Sequence, residues 1–189
     1  MGKSNHQSLA GKLLIAVPDL HDPNFFRTVV VLFQHSDEGA SGVVLNQPTT
    51  IPLKKIWEDL GEGVVCETSE NVFVGGPVEG PLIAIHTSPP LAETEVIPGV
   101  YLSMSRPQLD SLVGQKDQQF RIFSGYSGWG PGQLESEIER GGWLVLPATF
   151  DNIFDSPDGL WKQVCDQFGS EILKPIMGQR EYPDDPSLN

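Results

Sequence analysis

SGYSGWGPGQLESEIERGG, Ser124 to Gly142, places two aromatic residues, a proline and four glycines in its first nine residues, directly ahead of a short acidic helix. Glycine loses more backbone freedom on folding than any other residue. A run this dense implies that the chain turns tightly or that another group must come very close. A packed turn and a binding surface both meet that condition. Free N–H groups at the entry to a helix form a ready anion site. Here Glu135 and Glu137 occupy the first turns, where they satisfy the helix dipole and repel phosphate. The residues therefore favour a packed turn, with Trp129 covering the core and Leu134 and Ile138 burying one helical face.

Outward from this stretch, strands and helices alternate irregularly. Thr28 to Gln34 (TVVVLFQ) is β-branched and nearly continuous, as expected of a strand buried on both faces. After a turn at Ser36 to Ala40, Ser41 to Asn46 reads as its antiparallel hairpin partner, ended by Pro48. Pro52 to Leu60 sets Leu53, Ile56, Trp57 and Leu60 at helical spacing behind a first-turn proline, which predicts an amphipathic helix. Further strands are expected at Val72 to Val74, Leu82 to Thr87, Val100 to Ser103, Phe120 to Phe123 and Trp143 to Leu146, each bounded by Gly, Pro or Ser. Helices are expected at Pro107 to Val113, Gly132 to Arg140, Asp158 to Phe168 and Ser170 to Pro175. Short strands without a regular helix after each favour an α+β domain with a largely antiparallel or mixed sheet.

The chain has 189 residues, 39% of them hydrophobic, which suits one domain with a proper core. Residues 9–177 are expected to form it, with residues 1–8 frayed and a disordered, proline-rich tail at residues 178–189. Twelve Lys and Arg against 25 Asp and Glu give a formal charge of −13, so the average field repels nucleic acid and disfavours direct binding to it. No apolar run approaches the roughly 20 residues of a spanning helix, so no membrane association is expected. Cys66 and Cys165 lack metal or redox spacing and fit reduced thiols in a cytoplasmic protein.

Catalytic motifs fail one by one. Ser127 follows Gly125-Tyr126, but a nucleophile elbow needs glycine two positions after the serine, where Trp129 stands. Gly128-Trp129-Gly130-Pro131-Gly132 is no dinucleotide fingerprint, because a proline falls inside it. His21 and His35 lack the spacing of a zinc site, and no metal or other cofactor is expected. A second glycine cluster, Val74-Gly75-Gly76-Pro77-Val78, makes a tight turn directly after a strand. Should the two clusters meet, they frame one cleft with Asn46 and His86 at its edge. The candidate binding residues are then Asn46, Gly75, Gly76, Pro77, His86, Tyr126, Gly128, Trp129 and Gly130, with no catalytic residue among them.

LLIAVPDLHDPNFFRTVVVLFQHSDEGASGVVLNQP from Leu13, VFVGGPV from Val72, IHT from Ile85, GYSGWGPGQLESEI from Gly125 and FDNIFDSPDGLW from Phe150 occur in that order. Together they resemble the AlgH/YqgE family over roughly Leu9 to Gly169. The resemblance implies a bacterial cytoplasmic protein with coiled, branched sheets flanked by helices, in a family whose frequent label is transcriptional regulator. Two positions depart from the family pattern: Gln47 stands where Arg or Lys is expected, removing a positive charge from an anion contact, and Ser127 stands where Ala is commoner. With no complete catalytic motif, the sequence favours a non-catalytic binding or regulatory module that presents an acidic surface to a basic or apolar protein partner. The alternative is a small-metabolite site, with or without chemistry, in the glycine-framed cleft using Asn46, His86 and Tyr126 as polar contacts.

Overall fold

The computed structural model describes residues 8–20, 22–60, 63–115 and 118–177. Apart from Ser8, the expected frayed and disordered ends lie outside the described residues. In chain order the strands are β1 (Lys12–Ala16), β2 (Val29–Ser36), β3 (Gly39–Val44), β4 (Pro48–Pro52), β5 (Asn71–Val74), β6 (Val78–His86), β7 (Thr94–Ile97), β8 (Val100–Ser103), β9 (Phe120–Trp129) and β10 (Trp143–Pro147). The helices are α1 (Leu53–Leu60), α2 (Arg106–Val113), α3 (Gln133–Glu139), α4 (Phe150–Phe154) and α5 (Leu160–Met177). The domain is α+β.

The strands join in the order β10-β1-β2-β3-β9-β6-β8-β7, with β4 on β5 and β5 on β9. All pairs are antiparallel except β5 with β9. β9 is the branch. Its first half pairs with β6 (Ile83 opposite Phe123) and with β5 (Phe73 opposite Phe123), whereas Ser127, Gly128 and Trp129 pair with Gly42, Ser41 and Ala40 of β3. The sheet then curls: Gly11, just ahead of β1, lies so near β7 that a Cβ on it would stand 2.9 Å from the Val96 carbonyl oxygen.

The curl puts apolar side chains on both faces. On β2, Val29 and Val31 enter the inner core, which α4 and α5 cap with Ile153, Leu160 and Val164. Val30 and Leu32 join an outer cluster with Phe25, Trp129, Leu134 and Trp143. All four β2 residues are fully buried, as the unbroken apolar run implied. A third cluster seats α1 and α2 on the other arm through Leu53, Trp57, Leu109 and Leu112. Arg121 fixes α4 from beneath: it is buried, lies 5.0 Å from the centre of the Phe73 ring and donates to the carbonyls of Ile153, Phe154 and Asp155. A cation at those terminal carbonyls complements the helix dipole.

Three expectations are corrected, and three elements were not foreseen. Ser124 to Trp129 is strand rather than turn, because its glycines admit neighbouring backbones instead of reversing the chain. Pro48 opens β4 rather than closing a strand for good; β4 pairs only with β5, and such an edge tolerates proline. Helical patterns at 158–168 and 170–175 are one helix, α5. β1, β7 and α4 were not distinguished in the sequence as elements, being four or five residues long and fixed by their neighbours.

Candidate binding groove at the sheet branch

Gly75 and Gly76 follow β5 and press flat against β9. A Cβ on Gly75 would fall 2.2 Å from the Gly125 carbonyl oxygen, and one on Gly76 2.3 Å from the Tyr126 carbonyl carbon. Hydrogen bonds hold this contact. Gly75 N–H donates to the Ser124 carbonyl (2.9 Å), and the Gly75 carbonyl accepts from Val44 N–H (2.9 Å) and the Ser127 hydroxyl (3.1 Å). Gly125, at φ +71°, bends β9 as its pairing passes from β6 to β3. The two glycine clusters therefore meet, backbone to backbone.

Beside this junction an open groove of about 730 Å³ runs between α1 and β4 on one wall and the β5–β6 turn with β9 on the other. Ile51, Leu60 and Val74 line it and are 48%, 44% and 39% exposed. Ile56, Val72, Val78 and Leu82 add further apolar surface, and among the described residues Glu79 is the one charged member of the lining. Of the sequence candidates, Gly76 and Pro77 line the groove and Gly75 backs it. The Tyr126 ring lies across Gly80 and Gly128, with ring carbons 3.1 Å and 3.3 Å from where their Cβ atoms would be.

The other candidates lie elsewhere. Asn46 is a clamp on the start of β2: its Oδ1 accepts Val29 N–H and its Nδ2 donates to the Arg27 carbonyl, both at 2.9 Å. Arg27 is the one described non-glycine residue with positive φ, at 52°, and its guanidinium sits 5.1 Å and 5.3 Å from the centres of the Phe26 and Trp161 rings. Asn46→Ala should cost about 2 kcal/mol, since it orphans Val29 N–H at a fully buried position. Arg27→Gly, which relieves the left-handed backbone but loosens the unfolded chain, should stay within about 1 kcal/mol of the parent. Urea midpoints of the two variants check the contrast.

His86 stands at the opposite end of β6, paired with Phe120, and is fully buried. Its Nδ1 accepts Ser88 N–H (3.2 Å). The Ser103 hydroxyl donates to the Leu91 carbonyl, so His86 Nε2–H donates to Ser103 Oγ (3.0 Å). Burial lowers the His86 pKa, outweighing the opposing pull of Glu93 and the hydrogen bond with Ser88. The folded state thus resists a proton that the unfolded chain accepts near pH 6.5, and the neutral ring's contribution is lost as pH falls below that value. Between pH 7 and 5, stability should fall less steeply in His86→Gln than in the parent, by up to about 1.4 kcal/mol per pH unit. Denaturation at three pH values gives both slopes.

Trp129 and Gly130 belong to the outer cluster. Trp129 stacks on Phe25 at 5.9 Å, and its indole N–H donates to Glu137 Oε2 (3.0 Å), which also accepts the Trp143 N–H (2.8 Å). Gly130 N–H donates to Gln133 Oε1 (3.1 Å). Glu135 is likewise occupied, 2.7 Å from His35 Nε2, while His35 Nδ1 accepts Leu9 N–H. Both acids in the first turns of α3 thus brace the fold. Cys66 and Cys165 are free thiols, and burial pushes both up in pKa. Among the described residues, no cluster of three or more His, Cys, Asp or Glu could hold a metal, and no helix is long and apolar enough to cross a membrane.

The same fold recurs in known proteins. A family model described as AlgH-like (DUF179) matches residues 13–173. The chain belongs to the AlgH-like family. It is 38% identical to a UPF0301 protein of Streptomyces avermitilis, covering 100% of this chain and 99% of the relative, and 35% identical to one of Myxococcus xanthus, covering 92% and 98%. The solution structure of the AlgH protein from Pseudomonas aeruginosa superposes with a TM-score of 0.73 at 27% identity, over 97% of this chain and 100% of that one. Protein DIP2367 of Corynebacterium diphtheriae shares the fold, with a TM-score of 0.69 at 22% identity over 88% and 90%. None of these names carries an activity.

Most of the groove's lining was not foreseen in this AlgH-like chain. α1 held the missed signal. Its apolar stripe is wider than the face it buries: Leu53 and Trp57 are in the core, while Ile56 and Leu60 turn to the groove. Ile51, alone between Thr50 and Pro52, gave no comparable sign.

Proposed function

We propose that this chain is a non-catalytic binding module that docks a protein partner in the groove at the sheet branch, so that any effect on transcription runs through that partner. The observation that carries the reading is the convergence of exposed Ile51, Leu60 and Val74 on one groove whose polar lining, among the described residues, is Thr49, Ser124 and Glu79. Exposed apolar side chains gathered in a concavity favour association, because burial of each contributes about 1.5–3 kcal/mol. Among the described residues the lining offers no base beside a nucleophile and no convergent set of polar groups, which a metabolite or a reaction would use. Asn46 and His86, the polar contacts of a metabolite reading, are committed to the frame.

A benzophenone amino acid in place of Ile51, in the protein's own cells, tests the reading. Irradiation should yield a discrete protein adduct that is absent when the label replaces exposed Asp158 and is lost on adding Leu60→Glu. Equal adducts at both positions, or none at position 51, would sink it.

A further inference from the structure

We propose that the occupant of the groove is an amphipathic helix that carries a basic residue beside its apolar face. This rests on the docking reading above and commits it to one partner chemistry. Three observations converge. First, the β4 wall cannot template a strand. Pro48 and Pro52 have no N–H, and Ile51 N–H is taken by Thr49 Oγ1 (3.0 Å), itself donating to the Val72 carbonyl (2.7 Å). That leaves at most Thr49 and Thr50 as donors, too few for a ladder, and prolines at both ends are a familiar block to edge pairing.

Second, Ile56 and Leu60 lie four residues apart on α1, forming a ridge that points into the groove with Ile51, Val74 and Val78 around it. Such a ridge fits between side chains of a second helix lying 8–10 Å from the first. The partner's apolar residues at i, i+3, i+4 and i+7 would fill the groove. Third, Glu79 is the one charged side chain among the described residues that line the groove, in a chain of formal charge −13. A Lys or Arg on the helix flank meets both the local carboxylate and the wider field, whereas an acidic helix meets repulsion.

Two synthetic peptides of the same Leu and Lys composition and about four helical turns separate the outcomes. One orders its residues with the helical period and the other alternates them as a strand, so general attraction to an acidic protein is equal for both. In fluorescence anisotropy at about 0.15 M salt, the helical isomer should bind at least tenfold tighter. Leu60→Glu and, independently, Ile51→Asp should abolish that advantage; both positions are exposed, so folding is unaffected. Glu79→Gln should weaken binding by about threefold and flatten its salt dependence. Equal or tighter binding of the alternating isomer, lost in the same two variants, overturns the helix while leaving the groove in place. Peptide binding unchanged by both variants overturns the groove itself.

Discussion

Gly76→Ala should leave little folded protein. At φ +153° the backbone is one that side chains rarely adopt, and the added methyl would sit 2.3–2.4 Å from the carbonyl group of Tyr126 and the amide nitrogen of Ser127. Those are backbone atoms, which cannot swing aside as a flexible side chain can. Relief requires pulling β9 from the β5–β6 turn, and with it the hydrogen bonds of Gly75 to Ser124, Val44 and Ser127. A cost of about 4 kcal/mol or more follows, against a total stability of about 5–15 kcal/mol. Gly132→Ala is the control: it too has positive φ, +70°, but nothing lies within 4 Å, so about 1–2 kcal/mol is expected. Soluble yield and urea midpoints compare the two, and equal losses would refute the steric account.

Glu137→Ala should cost about 2–5 kcal/mol and red-shift the tryptophan emission. One carboxylate oxygen accepts the indole N–H of both Trp129 and Trp143, each at least 95% buried around Phe25. Removing it leaves two donors short of an acceptor, at about 1–3 kcal/mol each, less whatever water recovers at the half-buried carboxylate. Glu137→Gln keeps one carbonyl oxygen and should fall between parent and Ala variant. Urea midpoints read with emission maxima test the order, and a variant with unchanged midpoint and spectrum would mean the indoles need no such partner.

Legibility in the sequence followed the range of the interactions. α1, α2 and the β2–β3 hairpin were readable because their signals, a 3.6-residue stripe and a continuous β-branched run, arise within a few residues. β4 escaped because a proline-flanked edge strand has no local signature and exists only through β5. The glycines of β9 announced close approach but not its partner, which is the Gly75–Gly76 backbone some fifty positions upstream. Asn46 and His86 were the right residue types to line a site. Their actual roles, bonding Val29 and Arg27 in one case and Ser88 and Ser103 in the other, depend on strands that only the fold brings alongside.

The sequence by itself determined the α+β class, the family resemblance, the acidic field and the want of a catalytic motif, since composition and local spacing carry all of these. The tertiary structure alone decided where the sheet branches and which apolar residues stay uncovered. Leu53 and Leu60 share one helical stripe, yet one is fully buried and the other 44% exposed. What separates them is the seating of the Leu53 end of α1 on α2, β5, β6 and β9, a long-range packing outcome that no local window contains.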